Sequence, residues 1–182
     1  MNEQQLIHQI LKGDTDSFSY FVDTYQDMAM TIAFRICRNK QDAEDIVQNA
    51  FVRAFRNLHS YHSKSKFSTW FFRIVYNTAI SQISKLQSKA AHDNLEKAES
   101  ELTSFESSPS LSVERKEQSE LLTKAMDQIP KDEAVILTLY YLEEHSIKEV
   151  AQIMSLTESN IKIKLHRSRQ KLQKKLNFQD HG

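Results

Sequence analysis

The chain has 182 residues, 40% of them hydrophobic, with 24 basic and 24 acidic side chains that cancel to a formal charge of zero. That length allows one large domain or two small ones, and with only two Gly and two Pro it lacks the turn residues that sheet-rich folds demand. One cysteine, Cys37, rules out an intramolecular disulfide, the polar start MNEQQLIHQILKGD has no signal-peptide core, and the longest nearly apolar run, 134–142, is far short of the roughly 20 residues of a spanning helix. The composition therefore points to a soluble, cytoplasmic, all-α protein without direct membrane insertion.

Residues 1–88 read as helices throughout. Leu6, Ile7, Ile10 and Leu11 form one stripe that Gly13 closes as a C-cap. Asp16 or Ser17 is placed to cap a second helix carrying Phe18, Phe21, Val22 and Tyr25, and Met28, Ile32 and Ile36 continue its spacing. After a break at 39–41, Asp42 opens DAEDIVQNAFVRAFRNL, with Ile46, Val47, Ala50, Phe51, Ala54, Phe55 and Leu58 on its apolar side. Asp42, Glu44 and Asp45 lie in its first turn, where the helix dipole favours acids. A polar loop, 59–66, leads to a helix capped by Ser68 or Thr69, TWFFRIVYNTAISQISKL.

Residues 89–115 are Ser- and Glu-rich with no sustained stripe, the composition of a flexible acidic linker, with at most a transient helix near 94–102. Periodicity returns over 116–182. Leu121, Leu122, Ala125, Met126 and Ile129 share a face, Pro130 stops that helix, and Asp132 starts the next with Val135, Ile136, Leu139, Tyr140 and Leu142.

The stretch 146–176 carries the chemistry. Ser146 and Glu149 form a capping box ahead of a short helix with Ile147, Val150, Ala151 and Met154 inside. Ser155, Leu156 and Thr157 connect it to a second helix, capped by Thr157, on which Ile161, Leu165, Leu172 and Leu176 make one stripe. Two helices joined in this way form a helix-turn-helix. Although the whole chain is neutral, 158–176 holds seven basic residues against one acid, and attraction to phosphate is local because salt screens beyond about 10 Å. In this motif the start of the second helix enters the major groove. Ser159, Asn160, Lys162 and Lys164 are therefore candidates for base edges, with Asn suited to adenine and Lys to guanine. Arg167, Arg169 and Lys171 suit phosphates, and His166 lies on the same exposed side. A solvated basic helix on a bundle surface is the plainer alternative, and the preceding helix and turn argue against it.

The resemblance of the whole follows from ordered pieces: GDTDSF at 13–18, DAEDIVQNAFVRAF at 42–55, FSTWFFRIVYN at 67–77, the Ile129-Pro130 step, VILTLYYLEEHSIKEVAQIM at 135–154 and IKIKLHRSRQKLQKKL at 161–176. Over nearly its full length the chain resembles bacterial sigma factors of the extracytoplasmic-function group, within the sigma-70-like family. The resemblance implies a factor that binds core RNA polymerase, directs it to promoters and promotes local melting. It implies that 1–88 is like sigma region 2 and 116–182 like region 4, reading the minus-ten and minus-thirty-five elements. The DAEDIVQ helix matches the segment that packs on the beta-prime clamp coiled coil, so Asp42, Asp45, Ile46, Gln48 and Phe51 are the polymerase-contact candidates; Ile46 and Phe51 are read equally well as core. The beta flap is a further polymerase contact that the resemblance implies. The segment 60–87 matches the part that opens the minus-ten element, where a pocket takes a flipped base and aromatic faces and cations hold the strand. Tyr61, Lys64, Lys66, Arg73, Tyr76, Asn77 and Lys85 are the candidates there, whereas Phe67, Trp70, Phe71 and Ile74 are read as core. The chain departs from the family where Ser81, Gln82 and Ser84 stand in place of the usual Asp and Arg residues, which implies weaker contact with the minus-ten backbone. An anti-sigma partner is the family expectation.

Three other classes fit less of the chain. Catalysis finds no phosphate-cradling Gly loop, no HExxH and no Cys/His cluster, and His59 and His62 read as exposed loop residues; no cofactor, metal or small-molecule substrate is expected. A conventional repressor would account for 146–176 but not for DAEDIVQ or FSTWFFRIVYN. A pure interaction bundle would leave the basic helix without a purpose.

Overall fold

The structure, a computed structural model, describes residues 2–93 and 121–179, with side chains over 2–88 and 121–176. All regular elements among them are helical. The chain divides into two compact units, Met1–Ser100 with Gln152–Met154, and Glu101–Ala151 with Ser155–Gly182.

In the first unit α1 spans Glu3–Leu11 and opens with a capping box between Asn2 and Gln5. Gly13 follows its end at φ 112°, a backbone that L side chains rarely adopt, and its N–H donates to Ile10 O at 3.0 Å. Leu6, Ile7 and Ile10 are buried, but Leu11 is exposed. Neither Asp16 nor Ser17 caps a helix; a 3-10 turn, Thr15–Phe18, intervenes, and Ser17 Oγ donates to Asp14 Oδ2 at 2.7 Å. Then α2 runs Ser19–Cys37 and ends at Arg38 in the left-handed region. Next, α3 spans Lys40–Arg56. It begins two residues before the expected Asp42, because Asn39 is its cap: the Asn39 side chain accepts from Asp42 N at 3.0 Å. A short 3-10 turn, Leu58–Ser60, precedes the loop to α4, Phe67–Asp93. That helix begins at Phe67, so Ser68 and Thr69 lie inside it. It also extends to Asp93, five residues into the stretch read as linker, and no Gly or Pro interrupts it. The rest of that stretch, 94–115, lies outside the described residues.

The helices α2, α3 and α4 pack against one another around rings. Phe51 and Phe71 are stacked at 4.5 Å, Phe21 lies 4.3 Å from Phe67, and Phe18 meets Phe51 edge-on at 6.4 Å. Such pairs add about 0.5–1.5 kcal/mol each beyond the area they bury.

In the second unit residues 121–127 form the described part of α5; its Ala125 and Met126 are buried, as is Ile129 beyond it, whereas Leu121 and Leu122 are exposed. Pro130 is the cap residue of α6, Lys131–Tyr141, every residue of which from Glu133 to Leu139 is buried. Then come α7, Ile147–Met154, and α8, Glu158–Gln179. Among the described residues no helix is long and apolar enough to cross a membrane.

Candidate nucleic-acid interface

The bend between α7 and α8 is built from local chemistry. Ser146 accepts from Glu149 N at 3.3 Å while Glu149 Oε2 accepts from Ser146 N at 2.8 Å, so the capping box closes from both sides. At the other end Ser155 takes a left-handed conformation (φ 55°, ψ 41°), and Leu156 N–H donates back to Ala151 O at 3.0 Å. Thr157 Oγ1 then accepts from Asn160 N at 3.2 Å and starts α8. Three residues, 155–157, thus connect the two helices, the short turn that a helix-turn-helix uses.

At about 100° per residue, α8 sorts its side chains cleanly. Ile161, Leu165 and Ser168 are buried and Leu172 is half-buried. Ser168 fills the gap left in the expected leucine stripe; its Oγ donates to Lys164 O at 2.5 Å and to Glu133 Oε2 at 3.4 Å. On the opposite face Ser159, Ile163, His166 and Gln170 are all exposed, flanked by exposed Asn160, Lys162, Arg167 and Arg169. Arg169 Nη1 reaches the Tyr141 hydroxyl at 3.4 Å.

Two cations differ from the rest. Lys164 is paired with Asp132, and Lys171 Nζ lies 2.7 and 2.8 Å from the two oxygens of Glu133. Seven residues apart, they occupy one flank of α8 and face the first turn of α6. The Glu133 side chain is only 10% exposed, so these hydrogen bonds replace the water it has lost.

In the first unit the candidates spread differently. Asp45 and Gln48 of α3 are exposed and Asp42 is half-buried. Ile46 (0% exposed) and Phe51 (9%) are core residues. That corrects their place among the polymerase contacts: Phe51 is spent on Phe71 and Phe18, and Ile46 has no free surface. Tyr61 is half-buried against Phe67 and Trp70, and its hydroxyl donates to Ser65 O at 2.7 Å. Burial pushes its phenol above the ordinary range; a hydrogen bond with Ser63 opposes that and the charge of Glu3 adds to it. Lys64, Lys66, Arg73, Asn77 and Lys85 are exposed and Tyr76 is half-buried. Arg73 and Asn77, four apart on α4, share a face with exposed Ile80 and Ser84. Phe67 and Phe71 are buried as expected, Trp70 and Ile74 half-buried, and the fully buried Phe72 and Val75 join them.

Comparison with known proteins agrees with this arrangement. Sigma-70 region 2 matches residues 21–89 and sigma-70 region 4 matches residues 119–172. The ECF RNA polymerase sigma factor SigW of Bacillus subtilis is 32% identical over 93% of this chain and 94% of its own. The chain belongs to the ECF family of RNA polymerase sigma factors. SigM of Bacillus subtilis is 36% identical over 83% of this chain and 92% of its own, and the sigma-E factor of Escherichia coli K12 is 27% identical over 97% and 95%. Among solved structures, the sigma factor RpoE in complex with the anti-sigma factor NepR, from Bartonella quintana, shares the fold at a TM-score of 0.73 and 22% identity, covering 88% of this chain and 96% of that one. CnrH in complex with the cytosolic domain of CnrY gives a TM-score of 0.65 at 20% identity, over 94% and 95%. As an ECF sigma factor the chain acts in transcription initiation with RNA polymerase, and region 4 is its DNA-binding helix-turn-helix.

Sequence reasoning missed three parts of this sigma factor's interface: the exposed Ile163, the buried Ser168, and the acids Asp132 and Glu133 that hold two of the α8 cations. The break in the leucine stripe at Ser168 was a visible signal. The ion pairs span 32 and 38 residues of sequence, beyond any local pattern.

Proposed function

We propose that this sigma factor grips core RNA polymerase through α3, opens the minus-ten element with the loop and helix that follow, and docks α8 at the minus-thirty-five element. The observation that carries this reading is the sorting of α8: an exposed face of polar and cationic residues directly opposite its buried stripe, behind a tight bend, on the segment that matches sigma-70 region 4.

On α3 the exposed Asp45 and Gln48, with the half-buried Asp42, form the surface offered to the beta-prime clamp coiled coil, while Ile46 and Phe51 hold the helix in place from within. On α4, Arg73 and Asn77 offer a cation and an amide on one face, with Lys64 and Lys66 in the loop before it and Lys85 further along. These suit a released single strand, since cations track its backbone. Tyr61 stays neutral, keeps its hydroxyl on the loop and leaves part of its ring as a stacking surface; Tyr76 offers a second half-buried ring. Melting requires no bond chemistry, only capture of bases that offsets the cost of unstacking them. In region 4, Asn160, Lys162, His166, Arg167 and Arg169, with Ser159, are the residues placed to meet DNA, and Lys164 and Lys171 take the lesser share because α6 already holds them. The beta flap is the polymerase contact we assign to the second domain. Because both promoter elements are engaged by one chain, weak contacts at each gain from effective concentration.

The domains are read as 1–88 and 116–182 with a linker at 89–115, the factor as cytoplasmic, and an anti-sigma protein as its restraint. Two of the similar solved structures are titled as complexes, one with an anti-sigma factor, which supports the last point. Run-off transcription with core enzyme and genomic promoter fragments tests the function. Discrete start sites that vanish when the chain is omitted are expected; a core enzyme that initiates no differently with and without it would overturn the reading.

A further inference from the structure

Ile163 is the one large apolar residue that α8 exposes among its described side chains. It is 52% exposed, on a helix whose other exposed positions are polar or charged. It lies in the second turn, and at about 100° per residue it points directly away from Ile161, Leu165 and Ser168. Its neighbours at three and four residues' distance are Ser159, Asn160, His166 and Arg167, all exposed. Lys162 and Arg169 line one flank of this face, so Ile163 is an apolar centre inside a cationic rim.

That arrangement selects its own partner. A protein face that met Ile163 would need an apolar surface edged by acids. The major groove supplies both features at once, with phosphate rails on either side and, at each A·T pair, a single apolar group in the floor: the 5-methyl of thymine. We infer that Ile163 is a specificity-determining residue of region 4 that reads a thymine methyl in the upstream promoter element. The inference rests on the proposed docking of α8 in the groove and goes further, assigning one base preference to one side chain. Ser159 and His166, one turn to either side, place hydrogen-bonding groups where adjoining base edges pass, so the centre of the face reads shape and methyl while its surroundings read donors and acceptors.

Deoxyuridine tests this directly, because it differs from thymidine only by that methyl. Holoenzyme assembled from core RNA polymerase and the full chain is bound to a promoter fragment found by run-off transcription. Each thymine of the upstream element, on either strand, is replaced singly by deoxyuridine. One or two replacements should weaken wild-type holoenzyme about three- to fivefold, the scale of one buried methyl. Ile163→Ala should bind the thymine fragment about three- to fivefold more weakly than wild type and be indifferent to the same replacements, while Ile163→Val keeps the discrimination. Because the side chain is exposed, truncation opens no cavity; unchanged amide exchange in α6 and α8 and unchanged circular dichroism check this. Wild type indifferent to every replacement, or Ile163→Ala with its sensitivity intact, would overturn the inference. Whole base-pair swaps in the same element separate the two levels. If swaps matter and deoxyuridine does not, Ile163 loses its role and the groove reading stands; if neither matters, the groove reading fails as well, and the inference with it.

Discussion

The two units hold themselves together by different means. The first is fastened by rings: Phe21, Phe67, Phe71 and Phe72 are fully buried, and Phe18, Phe51, Tyr25 and Tyr61 touch them. The second has an aliphatic core, Val135, Ile136, Leu139, Val150 and Ile161, supplemented by the contacts of Asp132 and Glu133 to α8. A core of interlocked rings leaves the first unit sensitive to the loss of any one of them. A small aliphatic unit has less area to bury, and it fixes its recognition helix with a few polar ties instead. The difference places the cost of a mutation: size matters in the first unit, hydrogen bonding in the second.

The largest expected effect is on the aromatic side. Phe71→Ala removes a ring stacked on Phe51 and close to Phe67 and should cost about 3–5 kcal/mol. Trp70 is the single tryptophan and sits in this unit, so a urea melt followed by its fluorescence reads the loss. If the melt barely moves, the aromatic cluster is not what holds the first unit. Next comes Glu133→Ala, which strands Lys171 and removes an acceptor from buried Ser168. Because Lys171 is half-exposed and can turn to water, the cost should be about 1–2 kcal/mol. Amide exchange in α6 and α8 should quicken while the Trp70 transition stays put; a shift of the Trp70 transition instead would erase the contrast between the units.

A gain of about 0.5–1 kcal/mol is expected from Ser155→Gly, since the bend holds a side chain in the left-handed region (φ 55°) where glycine carries no penalty. Thermal melts followed by circular dichroism check it; a loss would mean that the serine side chain supports the bend. The smallest effect concerns pH. Burial raises the Glu143 carboxyl pKa, so the folded state holds its proton more tightly than the unfolded chain. Between the ordinary carboxylate range and the raised value, stability should therefore fall slightly as pH rises. Glu143→Gln should flatten that slope and leave the acid end unchanged; a wild-type slope of opposite sign would contradict the assignment.

What the sequence disclosed followed from locality. The Ser146–Glu149 box, the Thr157 cap and the α8 stripe are spaced within one or two turns, and each is in place. Phe67 and Phe71 were legible as core because aromatics at helical spacing seldom face water. Caps that depend on an unusual backbone were not: Arg38 and Ser155 take left-handed conformations with no glycine to announce them. Asn39, an extended-backbone cap of ordinary kind, starts α3 where Asp42 was also a fitting residue. Ile46 and Phe51 lie on the apolar side that the spacing marks out on α3, and it was the family resemblance, not periodicity, that put them among the polymerase contacts. Sequence divided the α8 cations between base edges and phosphates by their place along the helix and offered no reason to set Lys164 and Lys171 apart. Only the fold shows that Asp132 and Glu133, successive residues that read as ordinary first-turn acids, reach across to Lys164 and Lys171.

That division of the cations is the most direct point of attack. Promoter affinity of the holoenzyme, measured across a salt series, should lose about 0.9 of its logarithmic slope for each phosphate contact removed. Arg167→Gln and Arg169→Gln should each flatten the slope by about that amount, while Lys164→Gln and Lys171→Gln leave it within error of wild type. Equal flattening by all four, or none by any, would contradict an α8 that presents one exposed face to DNA and keeps the other flank tied to its own domain.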